Sequence, residues 1–143
     1  MNSINPYIGF NGRCREAMTF YQECLGGELE LQQVAGSPME QSWTGAMDQI
    51  FHSSLTINGV QILMGSDMTD QAGYTKGTNI ALAVGCSNEE EIHTLFARLQ
   101  EGGQVYHPLK QEFWGALFAS LEDKFGNRWM LNYDAKQKSK QLN

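Results

Sequence analysis

The alternation of apolar and polar residues predicts a strand, a helix and three further strands in the first half of the chain. The apolar segment 4–10 ends at Asn-Gly and is typical of a short strand. Apolar residues then recur at helical spacing over 13–25, and Gly26-Gly27 ends the helix. Three strands are predicted next, over residues 28–35, 50–57 and 60–66. The last two flank Asn58-Gly59, which strongly indicates a hairpin with a type I′ turn.

The second half of the chain repeats this order. A strand is predicted over 79–84, and a helix begins after Asn88, whose residue type commonly caps helix N-termini. The remaining strands are predicted over residues 104–109, 113–121 and 127–133. Pro108 favours an edge position for the first of these three. A shift of 76 positions aligns Gly26-Gly27 with Gly102-Gly103, which indicates an internal repeat.

This repeat predicts an α+β fold of two βαβββ modules within a single domain, residues 1–143. Module one covers about residues 4–66 and module two about 79–134. Each module has one helix to cover one face of its sheet, and two sheets curving around a shared cleft would cover the other faces. Segments 36–49 and 67–78 are predicted as loops, and the polar tail 135–143 is expected to fray.

The composition and charge of the chain indicate a globular protein and argue against several other classes. The 143 residues are 41% hydrophobic and 18% charged, which fits a globular chain. A net charge of −6 argues against nucleic acid as a partner, because phosphate binding needs a basic surface. No apolar run is long enough for a membrane helix, and no signal peptide is recognised at the N-terminus. The three cysteines have no metal-ligand spacing, so reduced thiols in a cytoplasmic protein are expected.

Motifs in both halves carry a resemblance to a known family. In the first half they are Pro6–Gly12, Cys14–Met18 with Phe20-Tyr21, and Leu25–Gly27; in the second, Phe113–Gly115, Asp123–Gly126 and Trp129–Asn132. With these motifs the chain resembles the PhnB-like branch of the glyoxalase/bleomycin-resistance/extradiol-dioxygenase group, the vicinal oxygen chelate superfamily. The resemblance covers about residues 4–134. It implies paired βαβββ modules, a cupped eight-stranded mixed sheet and a homodimer.

The resemblance also implies where a metal would be held. Metal-dependent members use four ligands, usually His and Glu, from the first and last strand of each module. Alternation along the predicted strands places Tyr7, Leu63, Asn79 and Met130 at these positions, and a one-residue slip would replace Leu63 with Met64. None of them is His, Asp or Glu, so no metal or other cofactor is expected. A non-standard site for a divalent metal is the alternative.

Two residues are candidates for catalysis. His52 shares one face of the third strand with Ser54, either as a half-exposed strand residue or as a cleft-lining ligand or general base. Glu112 stands beside Phe113-Trp114 and could reach the mouth of the cleft. His107 is interpreted as a structural or rim residue. The residues predicted to line the ligand cleft are Tyr7, His52, Leu63, Asn79, Trp114 and Met130.

These observations favour a cytoplasmic protein that binds a small apolar or aromatic molecule. Aromatic residues and methionines, which adapt to varied ligands, would supply a soft pocket. Trp43 and the loop residues Met39, Met47 and Met68 are expected to cover the cleft or contact a partner subunit. One alternative is a metal-dependent lyase, isomerase or dioxygenase of glyoxalase type that uses His52. A second alternative is a structural dimer without a ligand.

Overall fold

The computed structural model describes residues 1–68 and 73–136, which form two compact units divided between Lys76 and Gly77. The first unit contains β1 (Tyr7–Gly9), α1 (Cys14–Leu25), β2 (Glu28–Gln33), β3 (Ile50–Ile57) and β4 (Val60–Ser66). The second contains β5 (Ala81–Gly85), α2 (Glu89–Leu99), β6 (Gln104–Gln111), β7 (Leu117–Glu122) and β8 (Arg128–Tyr133). The predicted order of elements is therefore confirmed in both modules.

Each module forms a four-stranded mixed sheet. The strand orders are β1-β4-β3-β2 and β5-β8-β7-β6, so the first and last strands of each module are neighbours. That pair is parallel in both sheets, and the other pairs are antiparallel. The α+β class is confirmed. The joining of the sheets into one cupped eight-stranded sheet within a single domain stays a prediction.

The helices cover one face of each sheet because their apolar residues recur on one side. In α1, Ala17, Met18 and Tyr21 have no exposed surface, and in α2 the same holds for Ile92 and Leu99. Burying a large apolar side chain contributes roughly 1.5–3 kcal/mol. These contacts fix each helix on its own sheet and leave the opposite sheet face without a helix, which we call the open face.

The two helices are capped in different ways. The Asn88 side chain accepts a hydrogen bond from Glu91 N at 2.8 Å, as the sequence predicts for α2. Arg13 at the start of α1 makes no such bond. Asp67, at the end of β4, instead accepts from Cys14 N and Gly12 N, both at 2.8 Å. One buried carboxylate therefore fixes the start of α1 to the end of β4.

The predicted β3–β4 hairpin is confirmed. Asn58 and Gly59 have φ values of 51° and 79°, the positive values that a type I′ turn requires at both central positions. This turn sets the register of β3 against β4, and a register shift lies between Leu55 and Thr56.

Several predicted strand boundaries are wrong. β1 is limited to Tyr7–Gly9, and β5 begins at Ala81, so Asn79 lies before the strand. β7 begins at Leu117, since a turn closed by Glu112 N to Ala116 O at 2.8 Å occupies the preceding residues. Apolar residues occur in turns as well as in strands, and their pattern alone does not locate these ends.

The loop 36–49 is closed at its base. Val34 N donates to Gln49 O at 2.8 Å and Ala35 N donates to Met47 O at 2.9 Å. Inside the loop, the indole N–H of Trp43 lies 3.1 Å from both Ala46 O and Gln49 Oε1. These bonds give Trp43 a structural role within its own loop.

Two further sequence expectations concern the chain ends and membranes. The expected fraying of the tail falls mostly on residues 137–143, which lie outside the described residues. Neither described helix is long and apolar enough to cross a bilayer.

Candidate functional site

Strand pairing determines which side chains share the open face of module one. Tyr7 pairs with Met64, and Met64 pairs with Ser54, so these three side chains lie on the same face. His52 is two residues from Ser54 along β3 and shares that face. The next residue, Ser53, lies on the opposite face, where its Oγ is 3.3 Å from the Sγ of Cys14 in α1.

This register corrects the predicted position of Leu63. Leu63 pairs with Leu55 on the face covered by α1, where the two residues are 4% and 0% exposed. Met64 occupies the open face in its place. Three consecutive apolar residues, 62–64, make the alternation in β4 ambiguous, and only the cross-strand neighbours decide which side chain faces the helix.

Tyr7 and His52 form the polar contact of this face. Tyr7 Oη lies 3.0 Å from His52 Nδ1, and the two ring centroids are 5.7 Å apart. Partial burial raises the pKa of the Tyr7 phenol, and a hydrogen bond with Ser66 opposes the shift. Tyr7 therefore keeps its proton at neutral pH and can act as a hydrogen-bond donor.

The open face of module one carries a further aromatic residue, Tyr74, which the sequence pattern does not predict. A Cβ added to Gly9 would stand 3.8 Å from the ring of Tyr74. Gly9 is two residues from Tyr7 on the same strand face, so the Tyr74 ring lies on the open face as well. The sequence around Tyr74 has no periodic pattern, so no local signal indicates where this side chain lies.

The two modules place methionine at matching positions. Phe10 N donates to Ser66 O in module one, and Cys86 N donates to Asn132 O in module two. Met64 and Met130 each lie two residues before the acceptor residue of their module. Their parallel partners are Tyr7 and Ala83. Ala83, rather than Asn79, therefore occupies the position that corresponds to Tyr7, and Asn79 precedes the strand.

These residues do not fit the metal site that the family resemblance implies. Phenol, thioether and methyl groups replace the imidazole and carboxylate ligands that hold divalent ions with open coordination positions. In residues 1–68 and 73–136, no three His, Cys, Asp or Glu side chains lie close enough together to hold a metal ion. His52 has the Tyr7 hydroxyl beside it rather than a carboxylate.

The open face of module two combines an apolar centre with two polar groups. Met130, which is 41% exposed, pairs with Ser120 on β7. Toward the β7–β8 turn, the Arg128 guanidinium lies over the Tyr106 ring at 5.1 Å, and Arg128 Nε is 3.9 Å from Glu122 Oε1. This end of the face therefore carries a cation that already faces a carboxylate.

The other polar group lies toward the β6–β7 turn. His107 Nε2 lies 2.8 Å from Glu112 Oε1. The His107 ring also contacts Phe118, with centroids 5.2 Å apart, and Phe118 contacts Trp114 at 6.1 Å. The predicted candidates Glu112 and Trp114 are thus linked through His107 and Phe118, and His107, predicted as a structural or rim residue, contacts both Glu112 and Phe118.

The thiols offer no activated nucleophile. Burial raises the pKa of Cys14 to about 12, although it begins a helix, and burial raises that of Cys86 to about 11. Cys24 is 6% exposed. Thiolates react and thiols do not, so these environments favour structural roles.

Comparison with known proteins agrees with this architecture. The chain is 29% identical over 139 residues to the protein YjdN of Escherichia coli K12, covering 90% of this chain and 93% of that protein. The structure of PA1353 from Pseudomonas aeruginosa matches with a TM-score of 0.81 and 35% identity, covering 94% of this chain and 98% of that chain.

A second solved structure points to the same branch. It is described as a putative 3-demethylubiquinone-9 3-methyltransferase, PhnB protein, from Bacillus cereus, with a TM-score of 0.74 and 28% identity, covering 93% of this chain and 100% of that chain. The Glyoxalase/Bleomycin resistance protein/Dioxygenase superfamily matches residues 3–131. The chain therefore belongs to this superfamily, in its PhnB-like branch.

Proposed function

We propose that this protein binds a small apolar or aromatic molecule on the open faces of its sheets without a bound metal. The observation that carries the proposal is the pair of methionines at the matching positions Met64 and Met130, where the family's metal-dependent members place ligands. Thioethers are soft, polarisable groups that pack against varied apolar ligands. Hard divalent ions instead prefer oxygen donors such as carboxylate and carbonyl groups.

Exposed aromatic residues in each module support a binding role. Tyr7 is 52% exposed and Trp114 is 47% exposed, although both rings are large enough to stabilise a core. A ligand that covers either ring would remove its apolar area from water, and such burial contributes roughly 25 cal/mol per Å². A few polar groups beside an apolar surface are typical of small-molecule sites.

The same proposal includes an oligomeric state and a cellular location. We include the homodimer that the family resemblance implies, and light scattering at several protein concentrations tests it. We also include a cytoplasmic location. The three free cysteines, Cys14, Cys24 and Cys86, suit a reducing compartment.

A compound panel tests the binding function. Chelator-treated protein is titrated with uncharged, anionic and cationic aromatic compounds, and tryptophan fluorescence and thermal unfolding are recorded. We expect saturable changes with at least one class, weakened by Met130→Lys and unchanged by Ile4→Ala, which alters an exposed apolar residue elsewhere. If no compound saturates by either readout, a dimer without a ligand replaces the proposal.

Metals provide the second arm of this test. A ligand present at about a hundredfold above its dissociation constant adds roughly 2.7 kcal/mol of stability, which raises the unfolding temperature by several degrees. We expect no such rise with divalent metals. A clear rise with one metal would contradict the proposal in favour of a glyoxalase-type lyase, isomerase or dioxygenase.

A further inference from the structure

We propose that the open face of module one binds the hydroxyl group of an uncharged aromatic ligand, with the ligand oxygen held between Ser54 and His52. This inference rests on the proposed binding function and specifies a ligand class for one of its surfaces. The feature that carries it is a buried serine whose hydroxyl has no hydrogen-bond partner in the part of the chain that the structure describes.

Ser54 differs in this respect from Ser53 and Ser66, which are buried in the same module. Ser53 Oγ donates to Gly65 O at 2.9 Å, and Ser66 Oγ donates to Phe51 O at 2.8 Å. Ser54 is 4% exposed, and no described residue donates to its hydroxyl or accepts from it. A buried polar group without a partner costs stability, so Ser54 gains from a ligand that supplies one.

The Ser54 side chain lies on the open face, away from the edges of the sheet. It pairs with Met64 on β4 and with Glu30 on β2, and β3 is an interior strand. On the opposite face, the neighbouring Ser53 contacts Cys14 of α1. Ser54 Oγ is not among the described atoms that are inaccessible and lack a hydrogen bond, so it keeps surface that a ligand can reach.

His52 has a second ring nitrogen available on the same face. Its Nδ1 lies 3.0 Å from Tyr7 Oη, which leaves Nε2 for a ligand. Nε2 carries a hydrogen when the phenol donates to Nδ1 or when the ring is charged, and it carries a lone pair when a neutral ring donates from Nδ1. A ligand group that both donates and accepts hydrogen bonds can pair with Nε2 in every case.

The spacing of His52 and Ser54 suits a single ligand oxygen. Residues two apart on a strand are separated by about 6.6 Å. Two hydrogen bonds to one oxygen atom span roughly 5.6–6 Å. An oxygen between the two side chains can therefore bond to both, and Tyr7 orients the imidazole through Nδ1.

This arrangement selects a hydroxyl group. A hydroxyl donates one hydrogen bond and accepts others, and the Ser54 hydroxyl can rotate to take the role opposite to that of Nε2. An ammonium group cannot accept a hydrogen bond, and a ketone, ether or carboxylate oxygen cannot donate one. A methyl group does neither and leaves Ser54 without a partner.

The surroundings favour an uncharged aromatic molecule. Strands β1–β4 contain no Lys or Arg, whereas Glu28 and Glu30 pair with open-face positions of β3. An acidic ligand would therefore meet carboxylates without a compensating cation. Tyr7 and Tyr74 are 52% and 42% exposed, and a flat apolar ring can pack against either of them and against Met64.

Four probes of similar size test the subsite. They are 4-ethylphenol, 4-ethyltoluene, 4-methylbenzylamine and 4-methylbenzoate, each titrated into the full chain by calorimetry. One net hydrogen bond changes a dissociation constant roughly two- to twelvefold. We expect 4-ethylphenol to bind at least about fivefold more tightly than each of the other three.

Two adjacent serines provide a matched pair of variants. Ser54→Ala should weaken 4-ethylphenol at least about fivefold and change 4-ethyltoluene less than about twofold. Its unfolding temperature should equal or exceed that of the parent, because no hydrogen bond is lost. Ser53→Ala makes the same change on the face covered by α1, so it should leave binding unchanged. It should lower the unfolding temperature by a few degrees, because it removes the bond to Gly65 O.

A third variant tests the other contact of the ligand oxygen. His52→Phe keeps an aromatic ring and removes Nε2. We expect it to weaken 4-ethylphenol by about the same factor as Ser54→Ala and to change 4-ethyltoluene less than about twofold.

The outcomes separate this subsite from the general binding function. If the compound panel binds but 4-ethylphenol is not preferred, or if Ser54→Ala or His52→Phe leaves its affinity unchanged, the subsite is overturned and small-molecule binding stands. An unfolding temperature lowered as much in Ser54→Ala as in Ser53→Ala would also overturn it, because the Ser54 hydroxyl would then have a structural role. If neither the panel nor the probes bind, both proposals fall.

Discussion

Met64 and Met130 occupy the same position in the two modules. Each lies two residues before a residue, Ser66 or Asn132, whose carbonyl oxygen accepts a hydrogen bond from the first residue after the parallel partner strand. Each module thus supplies one pair of the positions that the family resemblance assigns to metal ligands, Tyr7 with Met64 and Ala83 with Met130. Introducing metal-binding side chains at the two positions of module one tests whether these positions can hold a metal ion.

We predict that Tyr7→His combined with Met64→Glu creates a divalent-metal site. Tyr7 and Met64 are cross-strand partners, and His52 Nδ1 lies 3.0 Å from Tyr7 Oη, so the variant would bring two imidazoles and one carboxylate together. Thermal unfolding with Zn²⁺ or Co²⁺ should rise by several degrees.

The matched control for this variant is Tyr7→His combined with Met64→Gln, which keeps the shape and removes the anionic ligand. A rise of the same size in this control, or in the parent protein, would show that the effect lies elsewhere. No rise in the Glu-containing variant would show that the open face does not bring these three positions together.

Asp67 is predicted to be a main determinant of stability. It is 4% exposed and accepts hydrogen bonds from Gly12 N, Cys14 N and Ile50 N at 2.8, 2.8 and 2.9 Å. Asp67→Ala leaves three backbone N–H groups without their acceptor, and each costs about 1–3 kcal/mol when buried. We expect urea denaturation to show a loss of about 3–5 kcal/mol.

Asp67→Asn sharpens this test, because its amide group must turn a donor toward one of the three N–H groups. It should be destabilised less than the alanine variant. The exposed Asp48→Asn serves as control and should stay within about 0.5 kcal/mol of the parent. An alanine variant as stable as this control would contradict the assigned role.

Stability should fall at high pH because of Cys14. Burial raises its pKa from the usual 9.0 to about 12, so the folded state keeps a proton that the unfolded state loses. Its stabilising contribution is fully present below pH 9 and decreases as the pH rises toward 12. The slope approaches about 1.4 kcal/mol per pH unit.

Cys14→Ser isolates this contribution, since Cys86 titrates in both proteins. We expect the free energy of unfolding to fall by about 1 kcal/mol more in the parent than in the variant between pH 8 and pH 10. Chemical denaturation at the two pH values measures it. Equal losses in both proteins would rule out Cys14 as the source.

The three thiols should differ in their reaction with a thiol reagent. Cys86 is partly exposed, whereas Cys14 and Cys24 are 0% and 6% exposed. We expect one slow equivalent in the native protein, slowed because the pKa of Cys86 is raised to about 11. Cys86→Ser should abolish it. Three rapid equivalents from native protein would contradict the burial described above.

Local signals in the sequence predicted much of the fold. Asn58-Gly59 specifies its turn through two positive φ values, and Asn88 caps α2 through a contact three residues away. Both depend on neighbouring residues, so the sequence pattern is sufficient. The Asp67 cap of α1 was missed because acceptor and donors are far apart in the chain.

The candidate site was predicted less completely for the same reason. Tyr7, His52 and Met130 fall on open faces because clear alternation surrounds them. Leu63 and Asn79 do not lie there. The apolar run 62–64 makes the register of β4 ambiguous in the sequence, and β5 begins only at Ala81, after Asn79. Whether the predicted residues bind a ligand stays a prediction.

The parallel pairing of β1 with β4 has a consequence for the order in which module one assembles. β3 and β4 are joined by a two-residue turn and can meet within microseconds. β1 is three residues long and must close most of the module as a loop before it pairs. Its amides should therefore gain protection from hydrogen exchange last and lose it first, and each opening separates the Tyr7 hydroxyl from His52 before the rest of the sheet is disturbed.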